Sequence, residues 1–149
     1  MGGAQGNAAM AAGALVLSFT QAGQAGASAW PNDIWDVSSV GYEAHSVGAV
    51  VWANRTATLQ GHIQDDGGIV SSTVFFTAYA GDTKVDSDTR TAHPGQDRSF
   101  SDVTLGDPDL IGGFDRLKIQ VCETDHPDTC SGPVNLNRNG VAESKYWPN

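Results

Sequence analysis

The stretch Thr56 to Gln64 alternates without a break: Ala57, Leu59, Gly61 and Ile63 fall on one side, and Thr58, Gln60, His62 and Gln64 on the other. Successive side chains point to opposite faces only in an extended chain, so a period of two commits this segment to a half-buried β-strand. The same period recurs around it. Val40, Tyr42 and Ala44 alternate with Gly41, Glu43 and His45, and the run continues from Val47 to Trp52 after Gly48, where a bulge or bend is expected. Thr73 to Ala80 is the most hydrophobic run, with Val74, Phe76 and Ala78 on one face and Phe75, Thr77 and Tyr79 on the other, as a central strand requires. A weaker polar strand near Thr83 to Arg90 and a further one at Arg98 to Leu105 follow. Phe114 to Glu123 comes next, with Leu117, Ile119 and Val121 inward and Arg116, Lys118 and Gln120 outward.

Turn chemistry separates these runs. Asp65-Asp66-Gly67-Gly68, Gly81-Asp82, His93-Pro94-Gly95-Gln96 and Gly106-Asp107-Pro108-Asp109 combine glycines that accept positive φ with side chains that bond their own backbone. After Trp30 the chain shows no long helical period and no internal repeat. Six or seven short strands in about 120 residues make the expected fold all-β, an immunoglobulin-like β-sandwich of about seven antiparallel strands.

The first 29 residues carry no charged side chain, whereas every Lys, Arg, Asp and Glu falls from Asp33 onward. Ala8 to Phe19 is an apolar run followed by small and polar residues ending in Ala27-Ser28-Ala29, the anatomy of a signal peptide cleaved before Trp30. Twelve apolar residues are too few for a permanent anchor, which needs about 20. The expected organisation is therefore a signal peptide over 1–29, an extended N-terminal arm over 30–38, and a single sandwich over 39–149. The expected location is extracellular.

The two cysteines, Cys122 and Cys130, allow one pairing, and in a short exported chain they read as a disulfide. The bridge closes a hairpin whose return strand is Ser131 to Asn137. Because its partners are close in sequence, it makes Glu123 to Thr129 a rigid acidic loop.

The net charge of −9 comes mainly from Asp, fourteen against three Glu. Such a surface repels phosphate backbones and anionic lipid head groups, which excludes nucleic acid and membrane as expected partners and leaves basic protein surfaces open. Ca²⁺ is also left open by the short groupings Asp86-x-Asp88, Asp107-x-Asp109 and Asp125 with Asp128. None completes the D-x-D-x-D-G…E loop, and Asp is a common turn former in its own right. No metal ligand or cofactor is assigned.

The succession T-x-L-x-G-x-I-x-D, V-F-F-T-A-Y-A-G, S-F-x-x-V-T-L and F-D-x-L-K-I-Q-V-C resembles the middle strands of bacterial immunoglobulin-like domains. The chain after residue 29 also resembles the small, Asp-rich, single-disulfide secreted proteins of actinobacteria such as Streptomyces. Some similar sandwiches are adaptors in secreted multi-subunit particles, including the streptomycete umbrella toxin complexes, where an N-terminal extension docks into a partner. The resemblance implies an adaptor role and carries over no functional residue.

Catalysis needs a nucleophile with a base, or paired acids in a cleft. The four histidines, at 45, 62, 93 and 126, are scattered one to a segment. Neither H-E-x-x-H nor G-x-S-x-G occurs, and no catalytic residue is assigned. The expected function is non-enzymatic binding of another extracellular protein. The contact residues would be Trp30, Ile34 and Trp35 of the arm and Glu123, Asp125, His126 and Asp128 of the hairpin. Trp is enriched in binding hot spots, so a free aromatic arm points to a partner's groove; folded back, the arm would instead bury its indole as an edge strand. The rival functions are a carbohydrate- or small-ligand-binding module, which predicts exposed aromatics on one sheet, and a hydrolase. A hydrolase predicts a cleft joining at least one His to a carboxylate and a Ser or water site.

Overall fold

A computed structural model of the chain describes residues 33–138. Eight strands run in chain order: β1 (Asp33–Ser38), β2 (Ala44–Trp52), β3 (Ala57–Asp65), β4 (Ser72–Ala80), β5 (Thr83–Ala92), β6 (Asp97–Leu105), β7 (Arg116–Glu123) and β8 (Val134–Asn137). A single 3₁₀ turn, Pro127–Thr129, is the helical element among the described residues. Every pairing is antiparallel, and the strands divide into two sheets of four, ordered β1-β2-β3-β6 and β5-β4-β7-β8. The chain changes sheet between β3 and β4, returns between β5 and β6, and crosses again between β6 and β7, the Greek-key connectivity of an immunoglobulin-like sandwich.

The alternation in β3 and β4 does what its period demands. Ala57, Leu59 and Ile63 of one sheet and Val74, Phe76 and Ala78 of the other are fully buried in the space between them, and β4 is central in its sheet. Phe76 and Phe100 meet edge to face at 5.7 Å between centroids, and Trp35 stacks on Phe100 at 6.3 Å. At the far end of the core Trp52 donates its indole N–H to Asp33 Oδ2 at 2.7 Å. There the Arg138 guanidinium lies over the Trp52 and Phe114 rings, 5.5 and 5.0 Å from their centroids, and donates to the Asn54 carbonyl.

Three sequence expectations change. The described part of the expected arm, 33–38, is strand β1, paired along its length with β2, and this strand brings the total to eight. Gly48 makes no bulge: β2 pairs continuously with both neighbours, and the glycine serves instead to admit the Trp35 ring. Bulges lie elsewhere: in β6, where Leu59 pairs Val103 and Gly61 pairs Phe100, so Gln60 faces both Ser101 and Asp102, and in β5, where Ala78 pairs Asp86 and Tyr79 pairs Lys84, so Val85 is the extra residue. Val40 to Glu43, expected as the start of a strand, is a turn. Tyr42 donates its N–H to the Ser39 carbonyl at 3.0 Å, and Gly41 takes the φ of 92° that a third turn position needs.

The polar strand β5 is an edge strand whose inward-phase positions Asp86, Asp88 and Arg90 stand opposite Ala78, Phe76 and Val74. Those charges are satisfied within β5 and across the gap between the sheets. Arg90 pairs with Asp88 at 2.8 Å and with Asp102 of the β6 bulge at 3.2 Å, and Asp86 accepts the Gly106 N–H at 2.9 Å. Inward charge on an edge strand also disfavours pairing with another chain.

Candidate functional site: a cross-tied loop end

Four connections gather at one end of the sandwich: 39–43, 66–71, 93–96 and 124–133. Main-chain hydrogen bonds tie them to one another. Val40 N–H donates to Thr129 O at 2.9 Å, Asp66 N–H to Glu43 O at 2.8 Å, Thr124 N–H to Ser71 O at 2.6 Å, and Asp65 N–H to Gln96 O at 2.9 Å. The buried Asp65 carboxylate adds two more ties, accepting from Ser72 Oγ at 2.7 Å and from Gly67 N–H at 3.0 Å. Loops bonded to each other in this way hold a fixed surface, not four separate tips.

The disulfide Cys122–Cys130 supports the longest of these loops. Inside the ring it closes, the Thr129 hydroxyl accepts from Glu123 N–H at 3.1 Å and donates to His126 O at 2.7 Å. Beyond it, Ser131 N–H donates to Val121 O at 2.7 Å and Ser131 Oγ accepts from Val121 N–H at 3.0 Å, which sets the register for β8. A closed loop this short contributes about 2 to 3 kcal/mol by loop entropy.

This end presents two kinds of side chain to solvent. Val40, Tyr42 and Ile69 are 67%, 61% and 99% exposed. The same loops and the end of β7 carry the carboxylates of Glu43, Asp66, Glu123, Asp125 and Asp128. Partial burial first, and then the hydrogen bond and charge of Glu43, hold the Glu123 carboxyl above the usual carboxylate range; Asp65 adds to the shift and His126 opposes it. Among the described residues, the two non-glycine positions with positive φ are Tyr42 at 64° and Asp125 at 67°, and both are here. Asp tolerates that conformation; Tyr is strained in it.

The site residues expected from sequence separate. Glu123, Asp125, His126 and Asp128 all belong to this end, with Asp125, His126 and Asp128 exposed. Trp35, expected as an arm contact, is a core residue at 3% exposure whose indole N–H donates to Ser46 Oγ at 3.1 Å. Ile34, its neighbour, points to solvent from β1, as the strand's alternation requires. Trp30 lies outside the described residues, as do the segment 1–29, expected as a signal peptide, and the residues after 138. Val40, Tyr42 and Ile69 were not expected as contacts. The signal for Ile69 was present: a large apolar residue directly after Asp65-Asp66-Gly67-Gly68, where turn chemistry leaves no interior to enter.

Two histidine pairs bear on catalysis. His45 Nε2 is 2.8 Å from Asp36 Oδ1 on the outer face of the first sheet, and Ser71 Oγ is 3.1 Å from His93 Nδ1 at the loop end. Among the described residues no hydrogen bond joins His93 to a carboxylate and none joins His45 to a hydroxyl. Among the described residues, too, no group of three or more His, Cys, Asp or Glu is placed to hold a metal ion, and no helix is long and apolar enough to cross a membrane. The chain matches no protein-family model, no curated protein and no solved structure.

Proposed function

We propose that this protein is exported and acts without catalysis, by binding another extracellular protein through the cross-tied loop end. The observation that carries the reading is that the loops cross-tied at one end carry three exposed apolar side chains, Val40, Tyr42 and Ile69, together with five carboxylates. An apolar patch ringed by charge is the anatomy of a protein contact: the patch supplies the desolvated centre, and the rim steers the encounter and selects a partner of opposite sign. The partner surface is therefore basic around an apolar pocket. The disulfide is compatible with an extracellular setting. An adaptor role in a multi-subunit secreted complex, implied by the resemblance to small actinobacterial sandwiches, would use this same end.

Affinity capture from the native culture supernatant tests the reading with two single variants. Ile69→Asp puts a charge at the centre of the proposed contact, whereas Ile34→Asp puts one on the exposed side of β1. The wild type and Ile34→Asp should recover the same partner, and Ile69→Asp should lose it while melting at the wild-type temperature. Equal recovery by all three proteins would rule the loop end out.

A further inference from the structure

The outer face of the β5-β4-β7-β8 sheet is charged oppositely to the rest of the molecule. The register places Lys84, Arg116 and Lys118 on that face, opposite Tyr79, Tyr79 and Thr77 in turn. Three of the chain's eight Lys and Arg are thus gathered there, and none of its seventeen Asp and Glu occupies an outward position on these four strands among the described residues. None of the three cations is ion-paired with a described carboxylate. In a chain of net charge −9 this segregation gives a local positive field on the strands themselves; the nearest carboxylates, Asp82 and Asp115, lie at the β4–β5 turn, where Asp115 Oδ1 accepts from Gly81 N–H.

Two aromatic rings share the face. Phe75, 41% exposed, and Tyr79 lie four residues apart on the same side of β4, about 13 Å at the rise of an extended strand. Arg116 lies against the Tyr79 ring, 4.3 Å from its centroid, with its donors already turned to Asn135 Oδ1 and the Gly81 carbonyl. Between and beside the rings the register sets neutral hydrogen-bonding groups: Thr77, Ser87, Thr89 and Gln120.

We infer that this face is a second binding surface, separate from the loop end, and that its ligand is an acidic polysaccharide of the uronate type laid across β4. Each element of the face answers one part of such a polymer. Aromatic rings pack against the apolar faces of sugar rings, hydroxyl and amide groups exchange hydrogen bonds with sugar hydroxyls, and cations meet the carboxylates. A nucleic acid, with about one charge per 1.7 Å of duplex, needs a denser row of cations than these three, whereas a uronate polymer carries one charge per sugar ring. An acidic polypeptide would meet the cations but carries its charges on flexible side chains and offers the two aromatic faces no repeating flat ring, as a sugar polymer does.

Affinity electrophoresis of the full chain through gels carrying polygalacturonate tests this. The wild-type protein should be retarded, less so as salt rises, and should run unretarded through fully methyl-esterified polygalacturonate and through poly-glutamate. Lys84→Glu with Lys118→Glu, and separately Phe75→Ser, should each abolish the retardation at an unchanged melting temperature. Lys84→Met with Lys118→Met, which keeps the side-chain length without the charge, serves if the charge-reversed protein does not fold. Ile69→Asp should be retarded like the wild type, which separates this surface from the proposed protein contact. Retardation by poly-glutamate equal to that by polygalacturonate, or no retardation of the wild type, would overturn the inference.

Discussion

The Trp35 indole lies on Gly48 so closely that a Cβ added to this glycine would stand 2.3 Å from both Cη2 and Cζ2 of the ring. The two residues are direct partners across β1 and β2, and Gly48 in turn pairs with Gly61 on β3, so ring and glycines form one row across three strands. A Cβ on Gly61 would meet the same ring at 3.0 Å and the Val47 carbonyl at 2.2 Å. The row explains how an edge strand of six residues is held: its Trp enters the core through a slot that only glycines leave open.

Gly48→Ala therefore pits a methyl group against a buried indole and the Gln60 carbonyl, neither of which has room to move. The expected cost is about 3 kcal/mol, the upper part of the range for overpacking a core, read as a lower midpoint in urea with an unchanged slope. Ala at Gly132, where an added Cβ meets nothing within 4 Å, is the control and should be near neutral. If both alanines behave alike, the slot is not what holds β1.

How legible these features were depends on which physical signal wrote them. The strands β3, β4 and β7 were legible because their inward residues, such as Leu59, Phe76 and Ile119, recur at the period of the backbone itself. Strand β1 was not. Ile34 and Trp35 are adjacent and equally apolar, so hydrophobicity could not say that one faces solvent and the other the core; the deciding fact, the glycine row, lies on other strands. The β6 bulge was hidden for a related reason: Phe100 and Val103 both point inward although three residues apart, and only the pairing with β3 accounts for the extra residue. Of the loop end, the acidic hairpin was legible from Cys122 and Cys130. Its apolar centre was not, since Val40 and Tyr42 continue an alternating pattern that Gly41 interrupts by turning the chain.

Breaking the Cys122–Cys130 bridge tests how much of the loop end's rigidity is covalent. Replacing both cysteines by Ala should cost about 2 to 3 kcal/mol and lower the melting temperature by roughly 10 °C. The protein should still fold, because Val40, Thr124 and Ser131 bond the same loop through the main chain. A melt that does not move would assign the loop's rigidity to those hydrogen bonds alone.

The raised pKa of Glu123 carries a sign for stability. Folding favours its protonated form, so the contribution is fully present below the unfolded value near 4.5 and is lost as pH rises through the higher folded value. Above that folded value burial and the neighbouring Glu43 both disfavour the ionised Glu123 in the native state. Glu123→Gln, which cannot ionise, should accordingly melt above the wild type at pH 7, with the difference closing toward pH 4. A constant difference across that range would mean that the gain has another source.

Tyr42 separates stability from binding. Its φ of 64° is a conformation that costs a side chain with a Cβ roughly 1 to 2 kcal/mol and costs glycine almost nothing. The side chain is 61% exposed at the loop end, so its ring is open to a partner whatever it does for the fold. Tyr42→Gly should raise stability by about 1 kcal/mol, or leave it unchanged, while weakening partner capture as Ile69→Asp does. Tyr42→Phe keeps the ring and the strain and should keep both properties. The opposing changes are what a contact residue predicts: if Tyr42→Gly destabilises the fold and captures the partner as well as before, Tyr42 serves the monomer and the apolar centre of the contact shrinks to Val40 and Ile69.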